Sequence, residues 1–544
     1  MPWLVGTWKY SVRPLAPRLG LGMVGLAPCQ GKGGCAYDGH NLGNDRAAVC
    51  SLGQVRGARR VRTQRRAPGA RAVPDADVQH MLGAHAGVGG RRTGSAWHML
   101  ALLGHELWLR GVHAGRLWSS CVCVSWLTWM SGFQQLCACR FPFSLIIGLV
   151  SAIFACSINN ANPDAICFNV LDYGAAGDGT TDDSQAFLMA WNEACSSETE
   201  NPTLIIPRLT FLVSPVVFRG PCKAKSINFL ILGMILAPDS PQTWKGLDQS
   251  QWLAFHGVSG LNVGGSGWIN GQGKGWWDQS CRYHPHMKEC TSLAPTAVKF
   301  LSCKRSSLSD IHFVNSAQTH VLIMRCDGME INHLIIQAPE TSPNTDGIHI
   351  QASYNVVIND IIVSTGDDCI SIGDHTSNIY IFNVGCGPGH GISIGSLGRS
   401  GNIVQVENIY VSRVYLKGTT NGARIKTWQV GKGHVRGVTF ENLYFDSVKN
   451  PIIIDQNYCN IRGACKEQKT GVQISDVLFE NIYGTSSTDV AINLNCSRSV
   501  ACTGILMKSI YLTSDKIGHK LTSYCTNAYG YSLGMIQPLP CLQI

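Results

Sequence analysis

The chain has 544 residues, 45% of them hydrophobic, 15% charged and 59 of them glycine, a globular composition rich in tight turns. Its formal net charge of +9 would suit nucleic acid, but residues 1–140 alone hold 17 Lys+Arg against 5 Asp+Glu, and the rest carries 27 against 30. A nucleic-acid footprint belongs on the folded part, so a nucleic-acid partner is excluded.

Residues 1–140 show no sustained apolar period and contain 15 Arg but only 2 Lys, in runs such as Arg59-Arg60-Val61-Arg62. They read as a disordered basic arm, as a helical domain around residues 99–118, or as a stretch foreign to the mature protein. No level of local pattern there agrees with another, so the expectation is an unstructured Arg/Gly-rich extension or a gene-model artefact. Residues 141–161 carry a mostly apolar run after Arg140 that ends in small residues. It has the anatomy of a secretory signal peptide and is short for a membrane span, so stable membrane insertion is not expected. Translation from Met130 and cleavage near residues 155–161 would give a secreted chain. Eight of the 23 cysteines precede Cys167 and 15 lie at or after it, which suits an oxidising compartment. An odd number leaves at least one thiol free if the others pair.

Residues 162–544 read as one folded body. Asp182-Asp183-Ser184 precede a helical pattern through Ala186, Phe187, Ala190 and Trp191, with the Asp183/Ser184 area as its cap. Such a helix would cover the open end of a solenoid. Short apolar strands follow at 204–206, 226–236, 252–263, 297–300, 311–315, 321–324 and 329–336. The beat continues through residues 344–428 and on to 438–445, 452–455, 472–482, 491–494 and 505–513. The phrases Glu407-Asn408-Ile409, Glu441-Asn442-Leu443 and Glu480-Asn481-Ile482 repeat with them. No helical periods intervene, which argues against βαβ units. The expected fold is all-β, a single-stranded parallel β-helix of about ten coils with an N-terminal capping helix. Asn at its corners tolerates left-handed backbone.

Residues 344–428 carry the chemistry. Asn344-Thr345-Asp346-Gly347, Gly366-Asp367-Asp368-Cys369 and Gly389-His390-Gly391 each lead into an alternating apolar run, and Asp346, Asp368 and His390 lie 22 residues apart. One coil per repeat would stack them at a strand spacing of about 4.8 Å. Arg424-Ile425-Lys426 follows, its two cations pointing the same way from a strand. The expectation is one ladder of three carboxylates, an imidazole and two cations on one face. Three close carboxyls cannot all ionise freely, so at least one pKa should be raised. An acid beside an ionised carboxylate is what glycosidic cleavage requires. The cations could form a structural network with the acids or bind an anionic sugar.

With Gly271-Gln272-Gly273, Gln318-Thr319-His320 and Ile454-Asp455-Gln456, these motifs make residues 168–541 resemble plant polygalacturonases of glycoside hydrolase family 28. The resemblance implies a right-handed β-helix, secreted to the plant cell wall, that hydrolyses α-1,4-galacturonan (pectate) with inversion. It implies Asp367 as general acid, Asp346 and Asp368 as the carboxylates that activate water, and His390 as a tuner of the acid. It further implies Arg424 and Lys426 gripping the substrate carboxylate, Tyr458 touching substrate, and a Cys369–Cys386 disulfide beside the site. Asn344 would orient Asp346 or the substrate. No cofactor or metal is called for, and a monomer is expected. The alternatives are a calcium-dependent pectate lyase, a catalytically weak wall-binding β-helix, or a relative acting on rhamnogalacturonan or xylogalacturonan. Asn495-Cys496-Ser497 is a rarer type of glycosylation sequon.

Overall fold

The computed structural model describes residues 166–544 apart from 289, 460–464 and 467. The basic extension 1–140 and the signal-like segment 141–161 lie outside the described residues. The described residues all belong to one compact unit.

Alternating aliphatic positions drive this unit into a right-handed parallel β-helix. Its strands form one sheet of 19 and one of 11, so the coil count exceeds the expected ten by one along the smaller sheet. That sheet runs through Thr296–Leu301, Val321–Met324, Ile348–Gln351, Ile370–Ile372, Ile392–Leu397, Asn421–Trp428 and Asn450–Tyr458, among others. Its register stacks Ile348, Ile370, Ile392, Ala423 and Ile452 in one inward column. Ile350, Ile372, Ile394, Ile425 and Ile454 form the next. All ten are buried, and each fully buried aliphatic side chain contributes about 1.5–3 kcal/mol.

Corners explain where the strand reading was too coarse. The runs at 226–236, 252–263 and 329–336 each turn partway, giving for example Asp327–Asn332 and Ile335–Gln337 on either side of His333 (φ 52°). Conversely, Tyr354–Ser364, Thr376–Cys386 and Ile403–Lys417 are long strands that bend at Asp360 (φ 53°), Asn383 (φ 57°) and Arg413 (φ 54°) without losing their neighbours. Single left-handed residues bend the coil while pairing to the next rung continues. The expected corner asparagines are there, and they hydrogen-bond up the stack: Asn378 donates to Asn355 at 3.2 Å and Asn408 to Asn378 at 3.1 Å.

The capping helix spans Ser184–Ser196 and buries Ala186, Phe187, Ala190, Trp191 and Ala194. Asp183 is its N-cap residue, as expected, but the Asp183 side chain makes no cap hydrogen bond. Asp183 accepts from the amides of Ala176 and Gly177, while the first helical amide, that of Ser184, donates to Asp182 at 3.0 Å. Trp191 closes the core's end, its ring centroid 5.4 Å from Phe218 and 5.7 Å from Phe255. Among the described residues no helix is long and apolar enough to cross a membrane. Disulfides join Cys195–Cys222, Cys281–Cys290, Cys369–Cys386, Cys459–Cys465, Cys496–Cys502 and Cys525–Cys541, whereas Cys303 and Cys326 are buried free thiols. At the sequon, Cys496 is thus oxidised and the Asn495 amide donates to Asp455 at 3.2 Å.

The cap has a measurable consequence. Trp191→Ala should cost about 3–5 kcal/mol, read as a lower urea midpoint. A loss below about 1 kcal/mol would mean that the aromatic plug is not what closes this end.

Candidate active site

The site is built at the entry to three successive rungs of the 11-stranded sheet. Asp346, Asp368 and His390 each stand two residues before paired isoleucines, so the 22-residue beat does place them in one column. Glycines allow the rungs to approach closely there. A Cβ on Gly366 would lie 2.0 Å from the Ser342 carbonyl, and Gly391 has φ 81° with the Asn421 carbonyl equally close.

The two cations do not continue that column, contrary to the expected single ladder. Arg424 pairs with Ser393, which pairs with Ser371 and then His349. Arg424 therefore stands in a neighbouring column and Lys426 two residues further along the same strand, and both reach back with long side chains. Arg424 Nη2 donates to Asp368 Oδ1 at 2.5 Å and Lys426 Nζ to Asp368 Oδ2 at 2.9 Å. Ser393 Oγ also donates to Oδ1, at 2.8 Å, and Arg424 Nε donates to Ser393 Oγ at 2.8 Å. Tyr458 lies beside this pair, with Lys426 Nζ 5.8 Å from its ring centroid.

Asp367 faces the groove more than Asp368 does, with side-chain exposures of 10% and 2%. Its Oδ1 lies 2.8 Å from His390 Nδ1 and accepts from the Asp368 amide at 2.9 Å. Its Oδ2 accepts from Asn344 Nδ2 and from Arg282 Nη1, both at 3.3 Å. Asn344 thus orients Asp367, where the sequence reading assigned it to Asp346 or the substrate. Asp346 Oδ2 accepts from Ser371 Oγ at 2.7 Å. Its backbone carbonyl is held by buried His320, which burial brings down to about 4 and so keeps neutral at mildly acidic pH.

The expected proton conflict takes a definite form. Burial raises the Asp346 carboxyl well above the ordinary carboxylate range, and the charges of Asp367 and Asp368 raise it further. Burial also works to raise Asp368, but Arg424 and Lys426 overcome it and hold that carboxyl well below the usual range. Asp368 is thereby favoured as an anion, and Asp346 is the carboxyl with the raised affinity for a proton. Asp367, Asp368 and His390 offer atoms within 4.8 Å of one another, a spacing that could suggest a metal. Yet both Asp368 oxygens already accept from cations, so this donor set is a poor cage for a divalent ion.

Every predicted site residue converges here, and the Cys369–Cys386 bridge begins at the residue after Asp368. Ser371, Ser393 and Arg282 were missed. The serines hide as polar outward positions of apolar strands, at sequence positions that also suit a solvent-facing side chain. Arg282 sits 85 residues from its partner, beyond any local pattern.

A parallel β-helix with a carboxylate cluster set against fixed cations is the arrangement of a polysaccharide-cleaving β-helix. Comparison with known proteins gives the particular family. The family described as "Glycosyl hydrolases family 28" matches residues 195–533. A probable polygalacturonase of Arabidopsis thaliana is 44% identical over 374 residues, covering 69% of this chain and 84% of that protein. A polygalacturonase of Malus domestica is 41% identical over 382 residues, covering 70% and 80% respectively. The fold is shared with an endo-xylogalacturonan hydrolase from Aspergillus tubingensis, with a TM-score of 0.59, 23% identity and coverage of 68% and 98%. The chain belongs to glycosyl hydrolases family 28 and is a glycosidase.

The raised Asp346 carboxyl has a thermodynamic signature. Between the unfolded value near about 3.9 and its raised folded value, the native state holds a proton that the unfolded chain has released. Stability due to this group therefore falls as pH rises through that window. In urea titrations from pH 4 to 7, Asp346→Asn should gain stability relative to wild type as pH increases. A difference independent of pH would contradict the assignment.

Proposed function

We propose that this protein is a secreted polygalacturonase that hydrolyses α-1,4-galacturonosyl linkages of pectate with inversion at the anomeric carbon. The observation that carries the reading is the division of labour among three carboxyls. One is fixed as an anion by two cations, one has a raised affinity for a proton, and one is the more exposed and stands beside an imidazole.

Asp367 is the general acid that protonates the leaving glycosidic oxygen. His390 holds one of its oxygens, and Asn344 the other. Asp346 is the base that takes the water proton, since a higher pKa strengthens a base in its protonated-product direction. Asp368, kept ionised, orients the same water and stabilises the cationic character developing at the sugar ring. In the productive form the transferable proton is on Asp367, and Asp346 is free to accept the one that water releases. Arg424 and Lys426 present two fixed cations to a uronate carboxylate, with the guanidinium supplying the bidentate fork. Because those cations also fill the position a calcium ion would need beside Asp368, hydrolysis is favoured over lyase chemistry. The protein acts as a monomer outside the cell, at the wall where its polymer lies.

The raised pKa of Asp346 favours one second reading, in which Asp346 and Asp367 exchange roles. A substrate with an activated leaving group separates the two, because an aryl galacturonide needs little protonation on departure. Asp367→Asn should lower kcat on polygalacturonate by about 10²–10⁴ and recover most of that loss on the aryl substrate. Recovery by Asp346→Asn instead would exchange the roles, and near-full activity of Asp367→Asn on polygalacturonate would remove Asp367 from the chemistry.

A further inference from the structure

We infer that Arg282 is a second substrate-carboxylate clamp, serving the galacturonosyl unit across the scissile bond from the one held by Arg424 and Lys426. This rests on the polygalacturonase reading above.

Arg282 lies on a loop between the short helix Lys274–Trp277 and the strand Thr296–Leu301. The base of the loop is fixed. A disulfide joins Cys281 to Cys290, the Cys281 amide donates to the Thr291 carbonyl at 2.9 Å, and the Thr291 amide donates to Gln279 at 2.7 Å. Further along, the Ala294 amide donates to Gln318 Oε1 at 3.1 Å. The backbone is thus pinned beside the site, while the Arg282 side chain remains 46% exposed.

Its contact with Asp367 is loose. One guanidinium nitrogen meets one carboxylate oxygen at 3.3 Å, and that oxygen is shared with Asn344. Arg424 differs: it is 13% exposed and engages Asp368 and Ser393 together. A partly exposed monodentate pair contributes little stability, and it does not use the planar fork that makes Arg a good carboxylate ligand. Arg282 can therefore leave Asp367 at small cost and take an incoming carboxylate bidentately.

The position suits this role. Along the sheet, Arg424 and Lys426 stand on the side of the acids toward the C-terminus. The Arg282 loop precedes the strand Thr296–Leu301, on the side toward the N-terminus. Exposed His284, His286 and Lys288 share the loop with Arg282. A polyuronide lying along the groove presents one carboxylate per sugar, so the units flanking the cut bond would each meet a cation. Arg282 is on this account a specificity-determining residue that also clears Asp367 for proton transfer as substrate binds.

Trigalacturonates carrying a single methyl ester at a defined unit test the inference, with wild type, Arg282→Gln and Arg282→Lys compared by initial rates. Arg282→Gln should raise KM for the free acid about tenfold with kcat within about threefold. Wild type should suffer a similar loss when one particular unit is esterified. Arg282→Gln should be indifferent to that ester, yet still sensitive to an ester on the unit gripped by Arg424 and Lys426. Arg282→Lys should recover part of the KM loss. An unchanged KM, a fall in kcat alone, or equal sensitivity to every ester would overturn the role. An unaltered thermal midpoint of Arg282→Gln excludes misfolding as the cause, and if it drops, the ester pattern of Arg282→Lys decides. Wild type failing to cleave polygalacturonate would instead overturn the assigned reaction.

Discussion

Parallel pairing at a fixed rung spacing is the constraint on which this site depends. The columns through Ile348 and Ile350 leave each coil one register, because a slip of one residue would turn the isoleucines outward. That register puts Asp346, Asp368 and His390 above one another with no adjustable loop between them. Precision in the chemistry is inherited from burial in the core.

Upon that frame sits an electrostatic arrangement that would be unfavourable elsewhere. Three carboxyls crowded near a partly desolvated groove repel one another. Arg424 and Lys426 resolve the conflict for Asp368 alone, while burial first, and then the charges of Asp367 and Asp368, raise the carboxyl of Asp346. Replacing Asp368 would leave two cations buried without their partner, so its role in stability and its role in chemistry are not separable. Asp367, whose contacts on its outward oxygen are longer, at 3.3 Å, and whose side chain is more exposed than that of Asp368, is the carboxyl best placed for the proposed proton transfer. The serines beneath the acids, Ser371 and Ser393, connect the two columns by donating upward to Asp346 and Asp368.

Much of this was legible in the sequence because the repeat is local. A 22-residue beat of Asp, Asp and His before Ile-x-Ile needs no long-range information once each beat is read as a coil. The placement of Arg424 was misread for the same reason: its motif resembles another beat, but the register sets it three positions further along the strand, in the His349 column. The three long strands between the motifs were missed because Asn and Asp corners look like strand ends in sequence, whereas left-handed residues there bend the chain and keep its pairing. Asn344 was assigned to Asp346 or the substrate, whereas the coil returns it to Asp367, 23 residues away. Arg282 was invisible to any periodic reading, since a loop outside the coil delivers it.

The most direct test follows the configuration of the newly formed reducing end by proton NMR during the first minutes of polygalacturonate hydrolysis. On the proposed roles, water activated by Asp346 and Asp368 attacks opposite the bond that Asp367 protonates, so the β-anomer should form first and the α-anomer only through later mutarotation. Initial release of the α-anomer, or of an unsaturated product absorbing in the ultraviolet, would contradict the account.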